Sequence, residues 1–398
     1  MKKILILGGD SFTVPVVKAA KAQGYYTITC DYLPDNIAHK YSDQYINFST
    51  TDKEGILKAA KEIGIDGIVT YTDSGVVTCA YVANTLGLPA TGPLESVEIL
   101  QNKARFRDFL TKNGFNVPKA KGYKNLNEAL KDYDFFDFPI IVKPVDAAGS
   151  KGVTKVESKE ELPDAIDWAI KHSFSGDFII EGWIEKKGCS SDSDSFSYKG
   201  KLEVATFSSQ LFDLSAAGPY VPAAYTWPSS FTKEQESYLR SELQRLLTLL
   251  KMQSSVYNIE TRIGQDDKPY IMEVSPRGGG NRLSEMIHFS TGVDLITNAV
   301  RVAVGDEPID YKQKPLVGHW AEIILHAPKL GTFVSLEIDD SVKGNVVEVD
   351  LWKKEGDQVN EFRAARDAIG TLVLRFENAE ELEKAITNQS QWLKVVTK

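Results

Sequence analysis

Residues 270–282 read YIMEVSPRGGGNR. An apolar run with strand character carries Glu273 near its end and stops at Pro276, and Arg277 then stands beside three glycines. A turn needs one or two glycines. The segment is therefore either a loose loop or a place where an acid, a cation and bare backbone are gathered at one strand end. On its own it leaves both readings open.

The residues just before it narrow the choice. VYNIETRI (256–263) and PYIMEV (269–274) flank GQDDKP (264–269), which predicts a hairpin. A turn centred between Asp266 and Asp267 sets Glu260 opposite Glu273, with Cβ atoms about 4.5–5.5 Å apart. Pro269 leaves a one-residue shift open. Two bare carboxylates facing each other repel, and a divalent cation removes that penalty; Mg²⁺ is commonly held by one or two carboxylates plus substrate phosphates. The alternative is a pair of solvated acids on a surface hairpin.

Further upstream, FPIIVKP (138–144) reads as a buried strand ending in Lys143, which either snorkels to solvent or meets an anion as a point charge. The small-residue loop DAAGSKG (146–152) follows, with backbone N–H groups able to approach phosphate oxygens. The P-loop pattern GxxxxGK[ST] is absent. LQNKARFRDFLTKNGFNVP (100–118) marks a helix capped by Asn102, with Phe106, Phe109 and Leu110 on one face and Gly114 and Pro118 as its stop.

The N-terminal stretch alternates short apolar runs with helical spacing, as in KILILGG, FTVPVVKAAKAQGY and YTITCD, which implies a parallel sheet with helices on both faces. Gly8-Gly9-Asp10 lacks the remaining glycines of a dinucleotide loop, so a dehydrogenase is a minor reading. Asp73 and Ser74 follow the strand GIVTY, where open α/β sheets collect ligands or where a helix is capped. LSAAGPYVPAAYTWPSS (214–230) reads as a surface crossing or a lid, and KEQESYLRSELQRLLTLLKM (233–252) as a long amphipathic helix.

The chain has 398 residues, 42% of them hydrophobic and 25% charged, so two or three globular domains are expected. A net charge of −9 argues against nucleic-acid binding. Three scattered cysteines and five scattered histidines give no zinc or disulfide pattern and fit a reducing compartment. No apolar window is long enough to span a membrane, and the N-terminal apolar run is too short for a signal peptide. A cytoplasmic protein is expected. The predicted architecture is α/β and α+β: an N-terminal parallel α/β domain over 1–95, a two-lobed nucleotide module over 96–312 with a small lobe near 115–183, and a C-terminal α+β lobe over 313–398.

The order of these elements, Asn-Lys opening a helix, a strand-end lysine, a Gly/Ser loop, IIEGWI (179–184) and a two-glutamate hairpin ending in PRGGG, resembles the ATP-grasp superfamily. More narrowly it is similar to the carboxylate–amine ligases and carbamoyl-phosphate-synthetase-like members. The resemblance covers nearly the whole chain. It implies that Lys103 and Lys143 contact ATP phosphates and that the loop with Ala148, Gly149, Ser150 and Gly152 closes over them. It also implies that Glu181 and the backbone of Trp183 and Ile184 meet adenine, and that Glu260 and Glu273, with Ser275, hold Mg²⁺ or Mn²⁺. Arg277, Gly279 and Gly280 would bind the acyl phosphate or its tetrahedral intermediate.

The implied function is ADP-forming ligation of a small carboxylic acid to an amine, by a protein that forms a homodimer. Asp73, Ser74, Asn281, Arg282 and His288 would shape the substrate pocket. Two departures stand out. Ser275 replaces the family's usual asparagine, and EGWIEKKGCSSD (181–192) puts Gly188 where a ribose-binding glutamate belongs, with Glu185 as substitute and Asp192 as the last acid. They keep two alternatives in view: an enzyme phosphorylating carbamate or bicarbonate, as in purine or carbamoyl phosphate chemistry, and an ATP-binding protein without turnover.

Overall fold

In the computed structural model of the chain the described residues are 1–147, 149 and 151–398, without the Tyr133 side chain. They divide into two compact units, Met1–Lys187, Ser193–Thr206 and Thr232–Lys314 in the first, and Gly188–Asp192, Phe207–Phe231 and Pro315–Lys398 in the second.

The first unit opens with β1 (Lys3–Leu7), β2 (Tyr26–Cys30), β3 (Gln44–Ile46) and β4 (Gly67–Thr70), a parallel sheet in the order β3-β2-β1-β4. Parallel strands covered on both faces read as unbroken apolar runs, and KILIL of β1 is buried from Ile4 to Leu7. Around the sheet run α1 (Val14–Ala22), α2 (Lys53–Ile63) and α3 (Val76–Leu86). The glycines after β1 serve packing. Gly8 has φ +119°, and a Cβ on Gly9 would lie 2.6 Å from the His39 ring.

Two helices lead onward, α4 (Leu94–Gln101) and α5 (Lys103–Lys112). Asn102 breaks them apart, and its side chain accepts from Arg105 N at 3.0 Å, as an N-cap does. Then β5 (Ala120–Tyr123), β6 (Ile140–Pro144), β7 (Thr154–Val156) and β8 (Phe178–Gly182) form an antiparallel sheet in the order β5-β8-β6-β7. It is covered by α6 (Leu126–Asp132) and α7 (Leu162–His172).

Four strands follow, β9 (Ser191–Tyr198), β10 (Lys201–Ala205), β11 (Ser209–Phe212) and β12 (Pro222–Trp227). After α8 (Lys233–Leu249) comes the hairpin of β13 (Ser255–Ile263) and β14 (Pro269–Ser275), then α9 (Leu283–Thr291) and α10 (Leu295–Ala303). Strands β10-β9-β13-β14 make one sheet. β9 reads SDSDSFSY, yet it is buried along almost its whole length. Its polar side chains have partners: Ser193 with Thr206, and Ser197 with Gln253 O and Tyr257.

In the second unit β11 and β12 join C-terminal strands β15 (His319–His326), β17 (Val346–Leu351) and β19 (Ala368–Phe376) in the order β11-β12-β15-β19-β17. Strand β16 (Gly331–Ile338) pairs with β18 (Gln358–Val359) and β20 (Leu393–Thr397). About a third of the segment expected to be a crossing or a lid is thus a strand: Ala223 to Trp227 are buried in β12. Ala224 of that strand lies in a core cluster with Ile323 and Leu372.

Candidate functional site

Lys143 ends β6 and Lys103 opens α5. The Lys143 ammonium lies 2.8 Å from Glu181 Oε2. Glu181, on β8, is also 2.9 Å from Arg107 Nε, a charge contact without an aligned hydrogen bond. Burial opposes ionisation of Glu181, but Arg107 and Lys143 outweigh it and hold its carboxyl well below the usual range. Burial lowers Lys143, against the pull of Glu181, and the nearby charges of Arg107 and Lys103 lower it further. Lys103 Nζ donates to Ala147 O at 2.8 Å and stands 3.7 Å from Glu273 Oε2.

The loop after β6 lies partly outside the described residues, since Ala148 and Ser150 do. Gly149 has φ +67° with open space where a Cβ would stand. Gly152 has φ +73°, and a Cβ there would come within 2.7 Å of His172 and Pro144. Asp146 accepts from Ser173 Oγ, Phe174 N and Ser175 N, which ties the loop's first residue to the end of α7.

The hairpin pairs Glu260 with Glu273 directly. The route to that pairing differs from the sequence expectation. The turn closes with Gly264 N donating to Lys268 O, and the pairs nearest it are Ile263–Pro269, Arg262–Tyr270 and Thr261–Ile271. Continued, that register would put Met272 opposite Glu260. A bulge between Glu260 and Thr261 shifts the ladder by one and brings Glu273 into place.

Beyond Glu273, Ser275 is buried and its hydroxyl is engaged: Gln101 Nε2 donates to it at 2.9 Å, and it donates to Asp73 Oδ1 at 3.5 Å. Among the described residues no group of three or more His, Cys, Asp or Glu side chains is arranged to hold a metal ion.

Arg277 is buried and ion-paired with Asp73, Nε at 2.8 Å and Nη2 at 2.6 Å from Oδ1. The three glycines differ in what they do. A Cβ on Gly278 would lie 1.9 Å from the Tyr71 ring, and one on Gly279 would lie 2.7 Å from Asn258 and Leu283. A Cβ on Gly280 would meet nothing within 4 Å. Gly279 N donates to Asp194 Oδ1 at 2.9 Å. Two glycines therefore serve close packing, and the third faces open space. Asn281 and Arg282 follow with φ of 51° and 57°, and Arg282 pairs with Glu285 at 3.0 Å.

At the end of β8, Trp183 N donates to Pro139 O at 3.2 Å and its indole N–H donates to Glu185 at 2.7 Å. Ile184 O accepts from Arg262 at 3.3 Å. Ser74 bonds Thr50, and His288 is exposed on α9. Asp192 receives Tyr225 Oη at 3.2 Å in the second unit.

Three residues escaped the sequence reading. Arg107 takes the buried helical position expected for Phe109, one turn after Lys103. Asp194 lies two residues past the acid singled out, and Gln101 ends the preceding helix. The signal for Asp194 was the alternation of SDSDS, whose acids share one strand face.

Sequence comparison matches residues 136–285 to a family described as ATP-grasp domain. Residues 136–285 are an ATP-grasp domain. It contains Lys143, Glu181, Glu260, Glu273 and Arg277, while Asp73, Lys103 and Arg107 precede it. The chain is 25% identical over 323 residues to the carbamoyl phosphate synthase large chain of Pseudothermotoga lettingae, covering 76% of this chain and 28% of that one. It spans about half or less of the length of the curated relatives first matched.

Among solved structures, an L-amino acid ligase from Bacillus licheniformis superposes with a TM-score of 0.83 at 20% identity, covering 100% of this chain and 99% of that one. The biotin carboxylase domain of Hydrogenobacter thermophilus 2-oxoglutarate carboxylase, solved with MgADP, gives 0.77 at 19%, covering 100% and 91%. These likenesses show that the chain shares its fold with these proteins over its whole length.

Proposed function

We propose that the chain is an ADP-forming ligase that uses ATP and Mg²⁺ to activate a small carboxylic acid as an acyl phosphate and joins it to an amine. The observation that carries this reading is Lys103, 3.7 Å from Glu273 on a hairpin whose two glutamates face each other, with Lys143 near enough for the charge of Lys103 to lower it. Opposed acids on one sheet face suit a divalent cation, because like charges so placed are otherwise destabilising. Glu260 and Glu273 would hold it. Ser275 would join with its hydroxyl already engaged by Gln101 and Asp73. When bound, Mg²⁺ offsets the negative charge of the phosphates.

A carboxylate is a poor acyl donor because oxide would have to leave; transfer of the γ-phosphoryl group provides phosphate as leaving group. The protein mainly positions and stabilises in such a transfer. Lys143, held by Glu181, and Lys103 offer ammonium groups to the phosphates, and the loop 148–152 covers them against water. The Glu181–Ile184 segment lines the adenine side. Arg277 faces the anionic acyl group, with Gly280 as backbone donor and Gly279 giving the loop its shape. We place the protein in the cytoplasm, as three free thiols suggest, and take its active form as a homodimer.

The test is Mg²⁺-dependent ATP turnover against pooled amino acids, other small carboxylates, bicarbonate and amines, resolving ADP from AMP. ADP and phosphate requiring one carboxylate pool and one amine pool is the expected result. AMP would mean adenylation and would overturn the reading. ADP release with bicarbonate alone would favour the carbamoyl-phosphate type of chemistry.

A further inference from the structure

The buried carboxylate of Asp194 belongs to none of the roles above. It is fully shielded on β9, and its two oxygens receive Gly279 N at 2.9 and 3.1 Å. Ser284 Oγ at the start of α9 donates to Oδ2, and Asn258 Nδ2 on β13 lies 3.4 Å from Oδ1. One side chain thus ties together strand β9, the glycine loop, β13 and the first turn of α9. The segment it holds needs an anchor, since Asn281 and Arg282 are consecutive non-glycine residues in left-handed conformation. Such backbone is strained and persists only where its surroundings over-determine it.

We propose that Asp194 is the positioning residue of the Arg277–Arg282 loop, and that it sets where Arg277 and the Gly280 N–H stand for the acyl-transfer half of the reaction. Its role in that reaction rests on the ligase reading; its hold on the loop does not.

The carboxylate is a costly choice for the task. Burial pushes its pKa up to about 6, against the hydrogen bonds of Ser284 and Gly279 and the charge of Arg277. The ionisable groups around it are the Arg277 guanidinium, paired with Asp73, and the Tyr71 phenol; Glu285 and Asp294 act on Tyr71 from beyond. A carboxyl raised in the folded state contributes stability below its unfolded value of 3.8 and loses it as the pH rises towards 6. Ionised Asp194 therefore weakens the fold at neutral pH, as expected of a group kept for function.

The experiment combines hydrogen exchange of peptides covering 276–283, thermal unfolding and MgATP binding, in the wild type, Asp194→Asn and Ser284→Ala. At pH 7.5, Asp194→Asn should exchange the loop at least tenfold faster with a Tm no lower than wild type. A residue that only stabilised the fold would instead lower Tm. In the wild type, loop protection corrected for intrinsic exchange should fall below about pH 6, and Ser284→Ala, lacking a donor that favours the ionised form, should move that midpoint upward. Unchanged loop exchange in Asp194→Asn, or a pH midpoint that Ser284→Ala leaves in place, would overturn the inference. If Asp194→Asn does not fold, the pH profiles of the other two proteins decide. Failure of the wild type to bind MgATP would sink the ligase reading alone, because loop exchange is read without nucleotide.

Discussion

Glu181 carries two cations, Arg107 and Lys143, in a site closed to solvent. Breaking a buried ion pair from one side leaves uncompensated charge and costs about 3–5 kcal/mol. Glu181→Gln should therefore lower the unfolding free energy in denaturant titrations by that amount and weaken nucleotide binding with it. Because the folded carboxyl titrates below its unfolded value of 4.5, its contribution is complete above that pH and lost as the pH falls towards the folded value. Wild type and Glu181→Gln should converge in stability on acidification. The glycines give a second contrast. Gly278→Ala drives a Cβ into Tyr71 and should cost about 1–3 kcal/mol. Gly280→Ala meets open space and should stay within about 0.5 kcal/mol. Unfolding midpoints of the two variants check this, and equal losses would count against it.

How far these residues could be read beforehand depended on what marked them. Lys143 was legible because a lysine closing an apolar strand breaks a pattern. Arg107 was not, because on a helix of mixed charge an arginine reads as solvent-facing, and only the opposing Glu181 makes its burial affordable.

Strand β9 shows that an element can be buried with hardly any apolar residues, provided its hydroxyls and carboxylates are matched. Ser197→Ala would take its partner from the buried Tyr257 hydroxyl, while the Gln253 carbonyl keeps the N–H of Gly200. A loss of about 1–3 kcal/mol is expected, measurable by chemical denaturation; a neutral effect would mean that another donor reaches Tyr257. The hairpin β13–β14 carries a different lesson. Counting from an assumed turn centre reached the pair Glu260–Glu273, but the turn lies half a residue away and the bulge near Met272 supplies the difference. Period-two patterning reveals which residues share a face, whereas a bulge depends on twist and on packing across the sheet.

At the scale of the molecule, the second unit is not simply a C-terminal addition. Its five-stranded sheet takes β11 and β12 from the middle of the chain, with Trp227 opposite Trp320. A chain ending at Lys314 would leave both strands without β15 and expose Tyr225 and Trp227, presenting an unpaired apolar edge. Aggregation is expected, read as loss of the soluble fraction in size-exclusion chromatography. A monodisperse 1–314 fragment would contradict the interleaved description. Its composition made the segment 214–230 look like a crossing or a lid, because Pro and Gly crowd it and the partner strand β15 lies far away in sequence.

That interleaving has a consequence for how the protein is made. On the ribosome β12 emerges roughly ninety residues before β15, which at 5–20 residues per second is a delay of roughly 5–20 s. Throughout that interval a nascent strand bearing Tyr225 and Trp227 has only β11 to pair with and lacks its second native neighbour, so the yield of intact protein should depend on translation speed and on holdase capacity more than on the stability of the finished fold.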